Sequence, residues 1–100
     1  MPRKKNKILR SSFYLMPCTV CKKVPSDPCH IRNWGLGGPD EEWNIIAMCR
    51  RHHQEQTHDG WRQFLNKYPK VAQKIEEKGW SWEYHNNKFS FYNKHEHGGS

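Results

Sequence analysis

The chain has little to bury and nothing to insert. Apolar residues make up 34% of its 100 positions against 27% charged, so one small core is the most it builds. No apolar run approaches the ~20 residues of a membrane helix, and Met1 leads into Pro-Arg-Lys-Lys rather than the apolar stretch of a secretory segment. We therefore expect a cytoplasmic chain with no membrane partner, in a compartment where thiols stay reduced. No internal repeat is present, which excludes a solenoid, and nothing in the composition separates a second domain. Acidic side chains are scarce as well: ten stand against 17 lysines and arginines, leaving +7 and a pI near 9.4. That imbalance favours a polyanion as partner, with a phosphate backbone the obvious target.

What the chain does hold is four cysteines, three of them in a frame. Cys18-x-x-Cys21 and Cys49-x-x-His52 are separated by 27 residues. In a reducing compartment such pairs are metal ligands rather than disulfides, and the spacing is that of structural zinc. A core this small needs such a staple. A four-ligand site has no open position for substrate, so the expected Zn²⁺ is structural and fixes neighbouring elements against each other.

A coarse reading places the frame. Residues 1–12 read as a basic, mobile arm (Arg3, Lys4, Lys5, Lys7 and Arg10), either a polyanion contact or a solubilising tail. Phe13 to Met16 reads as an extended apolar segment entering the core, ended by Pro17, and Cys18 to Lys23 as a knuckle. Asp27 to Arg32 is predicted as a strand after Pro25, and Trp43 to Met48 as its hairpin partner. Between them, Asn33-Trp-Gly-Leu-Gly-Gly-Pro sustains neither helix nor strand and reads as a functional loop, followed by an acidic turn at Asp40 to Glu42. A helix is predicted from Cys49 towards Thr57 with Gly60 as its end or hinge, a second over Trp61 to Tyr68, and a third from Pro69 to Gly79. Trp80 to Tyr84 and Lys88 to Tyr92 alternate around Asn86-Asn87 as a terminal hairpin whose aromatics pack on the helices. Residues 94–100 read as a disordered tail. The fold class is thus α+β: a small ββ-helix core with structural zinc over 17–60, then two helices and a C-terminal hairpin over 61–93, forming one domain over 13–93.

The insert inside the frame carries candidate chemistry. His30 lies on the first predicted strand. His53 follows a zinc ligand, and on a helix adjacent residues diverge by about 100°, so it faces away from that ion. His30, His53 and His58 could converge on a second metal. Phosphodiester cleavage needs a water made nucleophilic near neutral pH and a cation to neutralise charge developing on the phosphate. Histidine base and histidine ligand meet that need.

Cys18-x-x-Cys21, Asp27-Pro-Cys-His30-Ile, Gly35-Leu-Gly-Gly38, Trp43-Asn44-Ile-Ile and Met48-Cys49-Arg-Arg-His52-His53 together resemble the HNH endonucleases of the ββα-metal fold, in particular small zinc-stapled members from phages and bacteria. The resemblance covers about residues 17–60 and implies a metal-dependent endonuclease that hydrolyses DNA, nicking or cutting both strands, in a bacterial or phage-infected cell, either alone or within a larger DNA-processing assembly. It implies His30 as general base, Asn44 as the residue tying down the loop that orients the base, and His53 as ligand of a catalytic divalent ion. That ion is typically Mg²⁺, with Mn²⁺, Ni²⁺ or Zn²⁺ serving some members. The family carries Asp or His just before the base, where this chain has Cys29. Cys29 is either a bystander whose place water fills or a ligand for a softer ion. His58, five residues after His53, joins the metal only if the helix end bends. Arg32, Arg50, Arg51, Lys22 and Lys23 are the expected DNA contacts. The rival reading is a non-catalytic zinc module that binds DNA or a protein through its basic face. A redox protein using Cys18-x-x-Cys21 leaves Cys49 and His52 unexplained.

Overall fold

Hydrophobic periodicity and the glycine and proline punctuation lay out most of the architecture. The computed structural model describes residues 5–97. In chain order these form helix α1 (Lys7–Tyr14), strands β1 (Asp27–His30) and β2 (Ile45–Met48), helices α2 (Arg50–Asp59), α3 (Trp61–Lys67) and α4 (Pro69–Glu77), and strands β3 (Trp80–His85) and β4 (Lys88–Asn93). The result is a small α+β fold with four helices and two separate two-stranded antiparallel sheets among the described residues. β1 and β2 pair from Asp27 opposite Met48 to His30 opposite Ile45. β3 and β4 pair from Trp80 opposite Asn93 to His85 opposite Lys88, which leaves the two-residue turn Asn86-Asn87. Both asparagines have positive φ, 52° and 62°, the geometry of the tight hairpin turn that asparagine tolerates better than bulkier residues. No helix of the described residues is long and apolar enough to cross a membrane.

The helices end where the sequence says they must. Cys49 stands at the N-cap of α2, and Gly60, at φ 83°, both ends α2 through its N–H to the Gln56 carbonyl and begins α3. That left-handed backbone strains any residue with a Cβ. Pro69 opens α4 at its first turn, where its missing N–H costs nothing. The larger core gathers Phe64, Leu65, Val71 and Ile75 from α3 and α4 with Trp80 and Phe91 from the terminal hairpin, against Cys29, Ile46 and Met48 from the first sheet and Ile31 just past β1. Burying one Phe or Ile of this set contributes roughly 1.5–3 kcal/mol. Trp82 and Phe89 pack on the same core, so the inner face of the terminal hairpin rests on the helices. Trp80 Nε1 donates to the Trp43 carbonyl at 2.8 Å, fastening that hairpin to the entry of β2.

Both chain ends differ from the expected arm and tail. Residues 7–14 are helical rather than part of a mobile arm, and Phe13 lies in the last turn of that helix instead of starting an extended run. Asn6 caps it by accepting the Leu9 N–H at 2.9 Å. Leu9 and Phe13, one helical turn apart, pack on Ile45 and Ala47 of β2 in a second, smaller core. Arg10, Ser11 and Ser12 between them hide a two-residue apolar stripe, too short for the periodicity to register. At the other end, Lys94–His97 form a 3-10 turn, and Glu96 grips Arg32 at 2.7 Å. The remaining parts of the expected arm and tail, 1–4 and 98–100, lie outside the described residues.

Candidate metal centre and the adjoining cleft

Cys18, Cys21, Cys49 and His52 come together, their donor atoms all within 4.8 Å of one another. Local structure explains each position. The knuckle turns back on itself through Lys22 N–H to Cys18 O and Cys18 N–H to Lys23 O, with Lys22 at φ 68°. Cys49 and His52 share the first turn of α2, three apart and hence on one side. The Cys21 and Cys49 sulfurs are 3.8 Å apart, and His52 Nδ1 is 3.8 Å from Cys18 Sγ and 3.1 Å from Cys49 Sγ. A tetrahedral ion with metal–sulfur bonds of about 2.3 Å needs sulfurs roughly 3.8 Å apart. A disulfide needs about 2.05 Å, and all four cysteines are free. Burial pushes the His52 imidazole below its usual range, which keeps it neutral as a ligand must be. Burial also pushes the Cys18 thiol up, but backbone hydrogen bonds to its sulfur outweigh this and bring it down. The group could hold a metal such as zinc.

The glycine-rich loop is closed by one side chain. Asn44 is fully buried, accepts the Arg32 N–H at 2.8 Å, and donates to the carbonyls of Arg32 (3.1 Å) and Pro39 (2.9 Å). One amide thus staples both ends of residues 32–39. Gly38 lets the loop fold flat, since a Cβ there would collide with the Arg32 carbonyl.

An open cleft runs between this loop, β1 and α2, and His30, Trp34, His53, Gln56 and Thr57 line it. His30 Nε2 lies 2.6 Å from Asp40 Oδ1. Burial alone would push the Asp40 carboxyl up, but hydrogen bonds from Arg10 Nε, His30 and the Asn6 N–H outweigh it and hold the group at about 2. His53 Nδ1 stands 3.7 Å from Asp27 Oδ2, and Arg50 Nε lies 3.5 Å from the same oxygen. His58 borders the adjoining hollow with Asp27, Arg50 and His53. Its ring is turned out to solvent, 88% exposed, with Nδ1 2.9 Å from Asp59, so the helix does not bend to deliver it.

Cys29, considered above as a bystander or as a ligand of the second metal, is closed off from solvent. It is fully buried in the larger core, with its sulfur 3.9 Å from Gln56 Oε1. Burial, with help from Asp27 and Cys18, pushes its thiol up to about 12. Of the expected DNA contacts, Arg50, Arg51, Lys22 and Lys23 are exposed. Arg32 is not available. Its Nε and Nη2 bind the Glu96 carboxylate and Nη2 also donates to the Phe91 carbonyl, with the guanidinium 5.6 Å from the Trp80 ring centre.

Sequence reasoning missed two carboxylates. Asp27 shares strand parity with Cys29, and Cys29 faces Gln56 on α2, so a two-residue step back along the strand and one turn back along the helix pairs Asp27 with His53. The strand parity was legible in the sequence, but the facing of Cys29 and Gln56 was not. Asp40 read only as part of an acidic turn, and nothing local marks its partners. Comparisons with family models, with curated proteins and with solved structures find no match to this chain.

Proposed function

We propose that this chain is an HNH-type, metal-dependent endonuclease that hydrolyses DNA phosphodiester bonds, built on a ββα-metal core of β1, β2 and α2. The observation that carries the reading is that His30 and His53, from different elements, line one open cleft, next to a Cys3His group that could hold zinc. In this reading the zinc is structural and clamps the knuckle to α2, while Asn44 fixes the loop beside the cleft.

The residues divide the chemistry. His30 has Nε2 committed to Asp40, so Nδ1 is the atom that accepts a proton from water as it attacks phosphorus. Asp27 and His53 are the pair that would hold a divalent cation of the Mg²⁺ or Mn²⁺ type, an oxygen and a nitrogen donor already 3.7 Å apart. Such an ion, when bound, neutralises charge developing on the phosphate and on the leaving oxygen. Arg50, Arg51, Lys22 and Lys23 bind backbone phosphates, which orients the duplex without reading its sequence.

The test is plasmid DNA incubated with the zinc-loaded protein and Mg²⁺, Mn²⁺ or Ni²⁺. Nicked or linear product is expected, and its disappearance in His30→Ala with the fold intact. No cleavage with any of these ions, or undiminished cleavage by His30→Ala, leaves the rival: a zinc module that binds DNA with a steep salt dependence and no turnover.

A further inference from the structure

Helix α1 reaches the cleft through a single carboxylate. Asp40 closes the glycine-rich loop with its side chain fully buried. Oδ2 accepts Arg10 Nε at 2.6 Å and the Asn6 backbone N–H at 2.7 Å, both from the start of α1, and Oδ1 is 2.6 Å from His30 Nε2. Arg10 also lies 5.3 Å over the Trp34 ring, and Trp34 stands edge-on to His30 at 6.5 Å. Arg10, Asp40 and Trp34 thereby form one connected set beside the imidazole, with Trp34 also lining the cleft.

We propose that Asp40 is a positioning residue for His30, and that Arg10 of α1 holds Asp40 in that role, so that the N-terminal helix is part of the working site. The proposal rests on the nuclease reading for its catalytic consequence, though its geometric core does not. An ionised carboxylate only accepts hydrogen bonds. His30 Nε2 must therefore carry the hydrogen, which leaves the lone pair a base needs on Nδ1. The same carboxylate stabilises the imidazolium that forms when Nδ1 takes a proton. Arg10 matters because a buried carboxylate with a neutral imidazole as its main partner is poorly compensated. Without the guanidinium, Asp40 takes up one proton from solvent and, as a neutral acid, donates a hydrogen bond to Nε2; the imidazole keeps its single hydrogen, now on Nδ1, and the base is lost. A basic stretch that looks dispensable in sequence thus decides which nitrogen of His30 is free.

Two measurements on the full-length, zinc-loaded chain test this. The first is ¹⁵N NMR of the histidine imidazoles without DNA, with the His30 signals assigned by their loss in His30→Ala. Wild type should show His30 protonated at Nε2 and bare at Nδ1, Asp40→Asn should lose that single tautomer, and Arg10→Gln should shift it in the same direction. A wild-type His30 bearing its hydrogen on Nδ1, or an unchanged tautomer in folded Asp40→Asn, overturns the proposal even if the protein cleaves no DNA. The second is steady-state cleavage. Asp40→Asn should lower kcat roughly 100-fold or more, within the range a general base contributes, with KM changed less than about twofold. Arg10→Gln should lower kcat about tenfold and Arg10→Lys should restore most of it. A loss confined to KM would make Arg10 a phosphate contact and overturn its assigned role. If wild type is inactive while the tautomer is as stated, the nuclease reading fails and the positioning of His30 by Asp40 stands.

Discussion

His52 and His53 are neighbours on α2, yet they belong to regions built on opposite rules. His52 is 7% exposed and its ring faces three thiols, every donor within reach of the others. His53 has a side chain one-third exposed, borders solvent, and meets Asp27 at 3.7 Å. The first region is closed: its four donors could satisfy one tetrahedral ion, which would leave no position for anything else. The second is unsaturated, with few ligand atoms and open space beside them. Closure suits a staple and openness suits chemistry on a substrate, and the 100° between successive helical residues is enough to serve both from one turn.

Removing metal from the closed region should have the largest effect. One zinc per chain is expected by metal analysis, and chelation or Cys49→Ser should abolish cooperative unfolding by circular dichroism, since a structural zinc of this kind contributes on the order of 10 kcal/mol. A metal-free chain that melts like the loaded one would erase the distinction between the regions. Next comes the seam between them. Asn44→Ala strips partners from three part-buried backbone groups and should cost about 3 kcal/mol by denaturant titration. Its cleavage should fall as well, because the loop beside His30 loosens.

The open region should respond in the reverse manner, losing function while the fold stays. His53→Ala or Asp27→Asn is expected to reduce metal-dependent cleavage roughly 100-fold with the melting temperature nearly unchanged. A large drop in stability would show that this pair is structural like the closed one. Acid offers a smaller probe. Asp40 sits at about 2 when folded against its ordinary 3.8, so the stability it lends is complete above about pH 4 and lost as pH falls through 2. The amount is about 2 kcal/mol, and Asp40→Asn should flatten that part of the stability curve. The smallest effect should be that of Cys29→Ala, about 1 kcal/mol of stability from lost packing with cleavage retained. Loss of cleavage without loss of stability would return Cys29 to the second metal.

How far the sequence could be read varies from residue to residue. The helices from Cys49, Trp61 and Pro69 and both hairpins were legible because apolar period and turn residues act within a few positions. Helix α1 was not, because its burial rests on Leu9 and Phe13 alone amid lysines and arginines. Arg32 looked like a phosphate contact by its charge and its place beside the zinc frame, but Glu96, 64 residues away, claims it. His58 looked like a ligand until the helix kept its regular turn.

What the sequence by itself determined is therefore local. Two thiols on a knuckle and a thiol and imidazole on one helical turn are constrained by their own spacing, so Cys18, Cys21, Cys49 and His52 could be paired off before any fold was known. The tertiary structure alone decided that Asp40 holds His30, that Asp27 meets His53, and that α1 closes over the loop. Those contacts join polar groups from separate elements, where charge attracts at short range but leaves no periodic trace along the chain.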